Sequence, residues 1–160
     1  MKSIASTRFI IITFTLTALM IAFVFIHSLV PATVSDQESK GVLDFIYNIL
    51  TSIGINAEIT NHIVRKLAHF TEFTALGMLL TSCAYSFNRL RPYKFIVQIF
   101  FAGLCTAVID ETIQLFVEGR SGQIADVLLD FSGIVTGTAI MLLFYIIYIR
   151  IRKRKNESGS

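Results

Sequence analysis

The chain has 160 residues, of which 54% are hydrophobic and 16% charged, with a mean hydropathy of +0.68 and a formal net charge of +3. This composition excludes an ordinary soluble domain of that size and indicates an integral membrane protein. No linker rich in Gly, Ser or Pro divides the sequence, so we expect a single domain over residues 1–160.

The first apolar run covers residues 9–30, which is long enough for a bilayer that requires ~20 residues. A cleavable signal peptide is the alternative interpretation, because Val30, Pro31 and Ala32 loosely resemble a cleavage site. The run is longer than the usual ~7–15-residue core of a signal peptide, so we favour an uncleaved anchor. His27 lies near its end and is interpreted as a water-exposed interfacial residue rather than a ligand.

A polar connection follows over residues 31–62, and it contains one segment with helical periodicity. Its apolar positions are Val42, Phe45, Ile46, Ile49, Leu50 and Ile53. The segment is too short and too polar to span a membrane, so it predicts an amphipathic helix that lies in the interface or caps the bundle.

Three further apolar segments complete the pattern, at about residues 63–87, 95–117 and 125–149, before a basic tail over residues 150–160. The predicted fold class is therefore an all-α integral membrane protein with four transmembrane helices. The N-terminus, the connection between the second and third spans and the tail hold ten Lys and Arg residues, against four on the other side. This asymmetry predicts that both termini are cytoplasmic.

Charged and polar side chains lie near the outer ends of three predicted spans. Arg65, His69 and Glu72 stand at i, i+4 and i+7, so they share one face of the second helix. An ionisable group costs roughly 2.5–3.5 kcal/mol at the centre of a membrane helix, so we expect these groups to meet in an outward-facing pocket. The predicted pocket comprises Arg65, Lys66, His69, Glu72, Asp110, Glu111, Gln114, Arg120, Asp126 and Asp130.

The fourth span carries a stripe of Asp126, Asp130, Gly133 and Gly137. The spacing of the two glycines is typical of a close helix–helix approach in membranes. We expect the basic members of the pocket to offset its carboxylates. Buried ion pairs that only hold the helices together are the alternative, but so many charges at one depth favour a functional pocket.

These polar residues fall in three stretches of sequence. The stretches are RKLAHFTEF at 65–73, DETIQLF at 110–116 with Gly119 and Arg120, and DVLLD at 126–130 running into the two glycines. Together they resemble the VanZ-like family of small bacterial membrane proteins. The family commonly has Tyr, Pro and Asn where Phe73, Glu118 and Asp130 stand. The resemblance implies a multi-pass protein of the bacterial plasma membrane, linked to resistance against lipidated glycopeptides, teicoplanin in particular.

The favoured function is binding of a lipoglycopeptide or a lipid-linked cell-wall component at the outer leaflet. Arg65, Lys66 and Arg120 suit an anionic headgroup such as a phosphate or a carboxylate. We expect no nucleic-acid partner, no cofactor and no resident metal, and oligomerisation is left open.

A membrane enzyme acting on a lipid-linked substrate is the second hypothesis. His69, Glu72, Asp110 and Glu111 are its candidate catalytic residues, by general acid–base chemistry or through a divalent metal. The sequence contains neither the HExxH signature of metalloproteases nor the GxSxG signature of serine hydrolases. A small transporter is less favoured, because the sequence has no internal repeat.

Overall fold

The computed structural model of the chain describes residues 5–35, 40–41, 43 and 60–157. Within these residues the chain is helical and contains no β-strand, which confirms the all-α prediction. The four long helices are α1 (Thr7–Ser28), α2 (Asn61–Phe87), α3 (Ile96–Gln114) and α4 (Ile124–Glu157), and a short 3-10 helix (Pro92–Phe95) precedes α3.

Local capping signals set several of these boundaries. The Ser6 and Thr60 side chains accept hydrogen bonds from backbone N–H groups in the first turns of α1 and α2, at 3.4 Å in each case. Such bonds satisfy donors that a helix start leaves without partners. Asn88 follows the end of α2, and its side chain accepts from the backbone N–H groups of Leu90 and Arg91. These bonds shape the turn that leads to Pro92.

Three helical segments in the described part of the chain are long and apolar enough to cross a membrane. They are Thr7–Ser28, Pro92–Gln114 and Ile124–Lys155, which correspond to the first, third and fourth predicted spans. The prediction of four such spans is therefore confirmed for three. The predicted second span is a continuous helix of 27 residues, but its composition is too polar to meet the same criterion.

The position of α2 explains its polar composition. It packs against α1, α3 and α4, and its contact with α4 is the most extensive in the described structure. Its C-terminal half includes a run of buried small and polar residues from Thr81 to Ser86. Ile63, Leu67 and Phe87 remain exposed, so α2 faces other helices along part of its surface. Polar side chains on that part meet protein rather than lipid, so hydropathy alone does not identify the helix.

All four helices contribute to one apolar core. Its buried members are Val24, Phe73, Leu76, Ala107 and Ile134.

Glycine permits the close crossing of α2 and α4. A Cβ atom added to Gly133 would lie 2.7 Å from the carbonyl oxygen of Phe70, and one added to Gly137 would collide with the carbonyl oxygen of Thr74. The close approach predicted from the glycine spacing is confirmed.

The helix order places two different groups of residues at the two ends of the bundle. One end of the bundle, which we call the pocket end, contains the C-termini of α1 and α3 and the N-termini of α2 and α4. At the opposite end the start of α1 meets the end of α2, and the backbone N–H of Ala5 donates to the carbonyl of Ser86.

The predicted amphipathic segment at residues 42–53 lies outside the described residues, apart from residue 43. The predicted tail continues α4 as a helix to Glu157.

Candidate functional site

A small pocket lies at the pocket end, between the first turns of α2, the end of α3, the α3–α4 turn and the start of α4. Its volume is about 60 Å³, room for a few water molecules or one small ionic group. Eight of the ten predicted pocket residues line it, whereas Glu72 and Asp110 do not. The lining residues are His62, Arg65, Lys66, His69, Glu111, Gln114, Gly119, Arg120, Ser121, Gln123, Asp126, Leu129 and Asp130.

The turn between α3 and α4 holds Glu111 in place. Gly119 has a φ of +74°, a left-handed conformation that glycine adopts without steric cost. The chain reverses after it, and the backbone N–H of Gln123 donates to Glu111 Oε2 at 2.9 Å. A Cβ atom on Gly122 would lie 2.6 Å from the carbonyl oxygen of Glu111, so the turn packs tightly on the end of α3.

Asp110 is fully buried and has a hydrogen-bond partner on each carboxylate oxygen. The Ser28 hydroxyl at the end of α1 donates to Oδ1, and the Gln114 amide donates to Oδ2 at 3.0 Å. The same amide nitrogen also lies 3.1 Å from Glu111 Oε1, so Gln114 links the two neighbouring acids. The i, i+4 spacing of Asp110 and Gln114 makes this contact available within one helix face.

One ion pair and one histidine–carboxylate contact connect α2 with other helices. Lys66 Nζ lies 2.8 Å from Asp126 Oδ1, which joins α2 to the start of α4. His27 Nδ1 lies 3.2 Å from Glu72 Oε1, which joins α2 to α1. The His27 side chain is 22% exposed, and its contact with Glu72 is a feature that the interfacial interpretation did not include. Its ring also stacks on that of His69, with the centroids 6.0 Å apart.

His69 occupies the centre of the polar cluster. Its Nδ1 atom lies 3.8 Å from Asp110 Oδ2 and 3.9 Å from Asp130 Oδ1, so three helices bring their side chains together. Both distances exceed those of a hydrogen bond. All three residues are buried. Their side chains are less exposed than those of Lys66 and Asp126, which also line the pocket.

Arg120 ties the α3–α4 turn to the chain that follows α1. Its Nε atom donates to the carbonyl oxygen of Val30 at 2.8 Å, and the Ala32 N–H donates to the carbonyl oxygen of Glu118. The segment that follows α1 therefore packs against the α3–α4 turn.

Sequence reasoning missed His27 and Ser28, which contact predicted pocket residues. It also missed five residues of the lining: His62, Gly119, Ser121, Gln123 and Leu129. The available signal was position, because His27 and Ser28 end the first span at the same bundle end as the predicted pocket. Ser28 is neutral and Gln123 acts through its backbone, so a search for charged side chains could not find either.

Comparison with known proteins identifies one family. A family model described as VanZ/LLP1 matches residues 13–145, which covers most of the chain and every predicted pocket residue. No curated protein and no solved structure matches the sequence significantly.

Proposed function

Because the chain belongs to the VanZ/LLP1 family, we propose that it is a bacterial plasma-membrane protein whose pocket binds the anionic headgroup of an amphiphile. In this proposal α2 crosses the bilayer with the other three helices, and its polar side chains are covered by them. Both termini are cytoplasmic, in keeping with the ten-to-four distribution of basic residues. The pocket then opens to the outer face.

The observation that carries the proposal is the meeting of Arg65, Lys66 and Arg120 at one small pocket. Guanidinium and ammonium groups are the usual partners of phosphate and carboxylate groups, and their attraction strengthens where water is scarce. A volume of about 60 Å³ admits such a headgroup but not the body of a large molecule. The ligand would therefore insert its charged end and leave the remainder outside.

Apolar residues beside the pocket suit the rest of an amphiphile. Phe116 and Ile124 flank the α3–α4 turn and are 86% and 81% exposed. Acyl chains that extend from a bound headgroup would lie against such side chains in the membrane. A lipoglycopeptide such as teicoplanin, or a lipid-linked cell-wall component, has this combination of charged and apolar parts.

Catalysis on a lipid-linked substrate is the second candidate function. The contact of His69 with Asp110 and Asp130 favours it, because an imidazole between two carboxylates can accept and return a proton. Binding is preferred, because the basic side chains at the pocket account for recognition without a nucleophile.

Antibiotic susceptibility tests the proposal. A Gram-positive host would express wild type, His69→Ala, Glu111→Ala or Arg120→Gln, and minimum inhibitory concentrations of teicoplanin and vancomycin would be measured with membrane levels quantified. We expect wild type to lower susceptibility to teicoplanin more than to vancomycin, and each variant to lose this effect at equal abundance.

Two results would count against the proposal. Wild type without any effect would oppose the antibiotic role, and binding of anionic lipid-linked precursors to the purified protein would then be measured directly. Variants that lose function only in proportion to their loss from the membrane would show that the polar residues are structural.

A further inference from the structure

The deepest part of the polar cluster contains three potential metal ligands from three helices. His69, Asp110 and Asp130 each offer one ligand atom, and these atoms all lie within 4.8 Å of one another. The residues are 9%, 0% and 0% exposed, so bulk water does not surround them. Ligands that converge from separate helices have no short sequence signature, so a search for metal-binding motifs does not find them.

Asp130 provides an independent observation. Both of its carboxylate oxygens are buried and have no hydrogen-bond partner among the described residues. Its neighbours differ, because Asp110 accepts bonds from Ser28 and Gln114, and Glu111 accepts bonds from Gln114 and Gln123. A buried carboxylate without compensation is costly, and buried charges in proteins are normally paired or bind metals. The carboxylate of Asp130 points towards His69 Nδ1, into the cluster.

Two basic side chains near the cluster contact acids other than Asp110 and Asp130. Lys66 pairs with Asp126 at the pocket, and His27 faces Glu72. The cluster of Asp110 and Asp130 thus places two carboxylates around one imidazole. A divalent cation would balance both of them.

We propose that His69, Asp110 and Asp130 bind a divalent transition-metal ion, with Zn²⁺ the best match and Mn²⁺ the second. One imidazole nitrogen and two carboxylate oxygens are ligands that these ions accept, whereas Mg²⁺ and Ca²⁺ prefer oxygen alone. Tetrahedral bonds of ~2.1 Å place ligand atoms roughly 3.4 Å apart. His69 Nδ1 lies 3.8 and 3.9 Å from the two carboxylate oxygens, and all three ligand atoms lie within 4.8 Å of one another, so metal binding requires the side chains to draw closer by up to about 1.4 Å.

Surrounding contacts fit such an ion. Ser28 and Gln114 orient the Asp110 carboxylate, as outer partners of metal ligands usually do. His69 and Asp130 also line the pocket, so the fourth coordination position can face it and the ion has a route of entry. The inference does not depend on the headgroup proposal, because the ion would bind with or without an amphiphile.

Metal analysis of the full-length protein tests the site. The protein would be purified in detergent with its affinity tag removed, and its metal content measured by mass spectrometry before and after chelation. We expect about one equivalent of metal per chain, or recovery of one equivalent when the chelated protein is titrated with Zn²⁺. We also expect Zn²⁺ to raise the apparent melting temperature of the chelated protein.

Variants assign the ligands. Asp130→Asn and His69→Ala should each weaken Zn²⁺ affinity by more than about tenfold, since even outer-sphere partners contribute that much. The matched control is Asp126→Asn, which removes the same charge one helical turn away and should retain the metal. Gel filtration and circular dichroism would establish that each variant is folded.

The inference is overturned if folded wild type neither contains metal nor changes its melting temperature with Zn²⁺ or Mn²⁺. It is also overturned if Asp130→Asn and His69→Ala hold the ion as tightly as wild type. Should both variants fail to fold, the wild-type titration decides the question. None of these results bears on whether wild type alters teicoplanin susceptibility, so the two proposals can fail separately.

Discussion

The two ends of the helix bundle differ in the side chains that make the contacts between helices. At the end opposite the pocket, the ring of Tyr85 stacks on that of Tyr145 at 3.8 Å, and the Tyr145 hydroxyl donates to Ser82 Oγ at 3.1 Å. The hydroxyls of Thr13 and Ser86 also meet across helices, at 3.4 Å. At the pocket end, by contrast, acids and histidines occupy the helix contacts.

This difference bears on the alternative interpretation that the buried charges only hold the helices together. Neutral hydrogen bonds join α1, α2 and α4 at one end, and such bonds are the usual means of holding membrane helices together. The pocket end contains more acidic groups than helix association requires, and Asp130 has no hydrogen-bond partner among the described residues. Charges that stabilise little and cost much to bury are retained for function more readily than for stability.

The largest loss of stability should come from a substitution at the close crossing of α2 and α4. Gly137→Leu would drive a side chain into the Thr74 carbonyl of α2. We expect destabilisation at or above the upper part of the ~1–3 kcal/mol range for overpacking. Yield of monodisperse protein and apparent melting temperature would measure it. Val135→Leu, on an exposed face of the same helix, is the control, and equal losses in both variants would contradict the crossing.

A matched pair of serine substitutions compares the two ends directly. Ser28→Ala removes the donor to buried Asp110, and hydrogen bonds to charged groups are worth ~1.5–3 kcal/mol. We expect a corresponding fall in melting temperature and about tenfold weaker Zn²⁺ binding. Unchanged stability together with unchanged Zn²⁺ affinity would show that the hydrogen bond from Ser28 contributes neither to folding nor to the position of Asp110.

Ser82→Ala is the partner of that experiment. It removes the acceptor of the Tyr145 hydroxyl, a neutral bond of a kind that averages ~0.6 kcal/mol between membrane helices. Stability should fall less than in Ser28→Ala, and Zn²⁺ affinity should not change. Thermal unfolding in the same detergent measures both variants. A larger loss of stability in Ser82→Ala than in Ser28→Ala would contradict the expectation that the hydrogen bond at the pocket end contributes more.

The smallest effect on stability should come from Lys66→Met. The Lys66–Asp126 pair is partly exposed, with side-chain exposures of 35% and 24%, and such pairs contribute ~0–1 kcal/mol. Binding of vesicles that contain anionic lipid-linked precursor should nevertheless weaken several-fold, because one of three cationic groups at the pocket is lost. A large drop in melting temperature without a change in binding would instead identify the pair as structural.

The sequence predicted those features that depend on regular spacing. The length of the apolar segments located all four helices, and the glycine pattern anticipated the crossing of α2 with α4. The meeting of His69, Asp110 and Asp130 followed from topology, because the three residues stand near corresponding ends of their helices.

The features that could not be predicted from the sequence depend on how the helices pack against one another. Hydropathy does not show which side chains of α2 face other helices, so the predicted second span is more polar than the other three. The contacts of Ser28 and the backbone N–H of Gln123 arise from the way α1 and the α3–α4 turn pack. Such contacts leave no compositional signal.

The length of α4 has a mechanical consequence. Its 34 residues extend about 51 Å at 1.5 Å per residue, whereas the apolar core of a bilayer is about 30 Å thick. Asp126 and Asp130 stand near its first turn, and Arg150 to Lys155 near its last. A continuous helix without proline is stiff. In the proposed orientation, attraction of the basic end to anionic lipid, about 1 kcal/mol per residue, would therefore fix the depth of both aspartates. Lipid composition on one side of the membrane would then set the height of the pocket on the other.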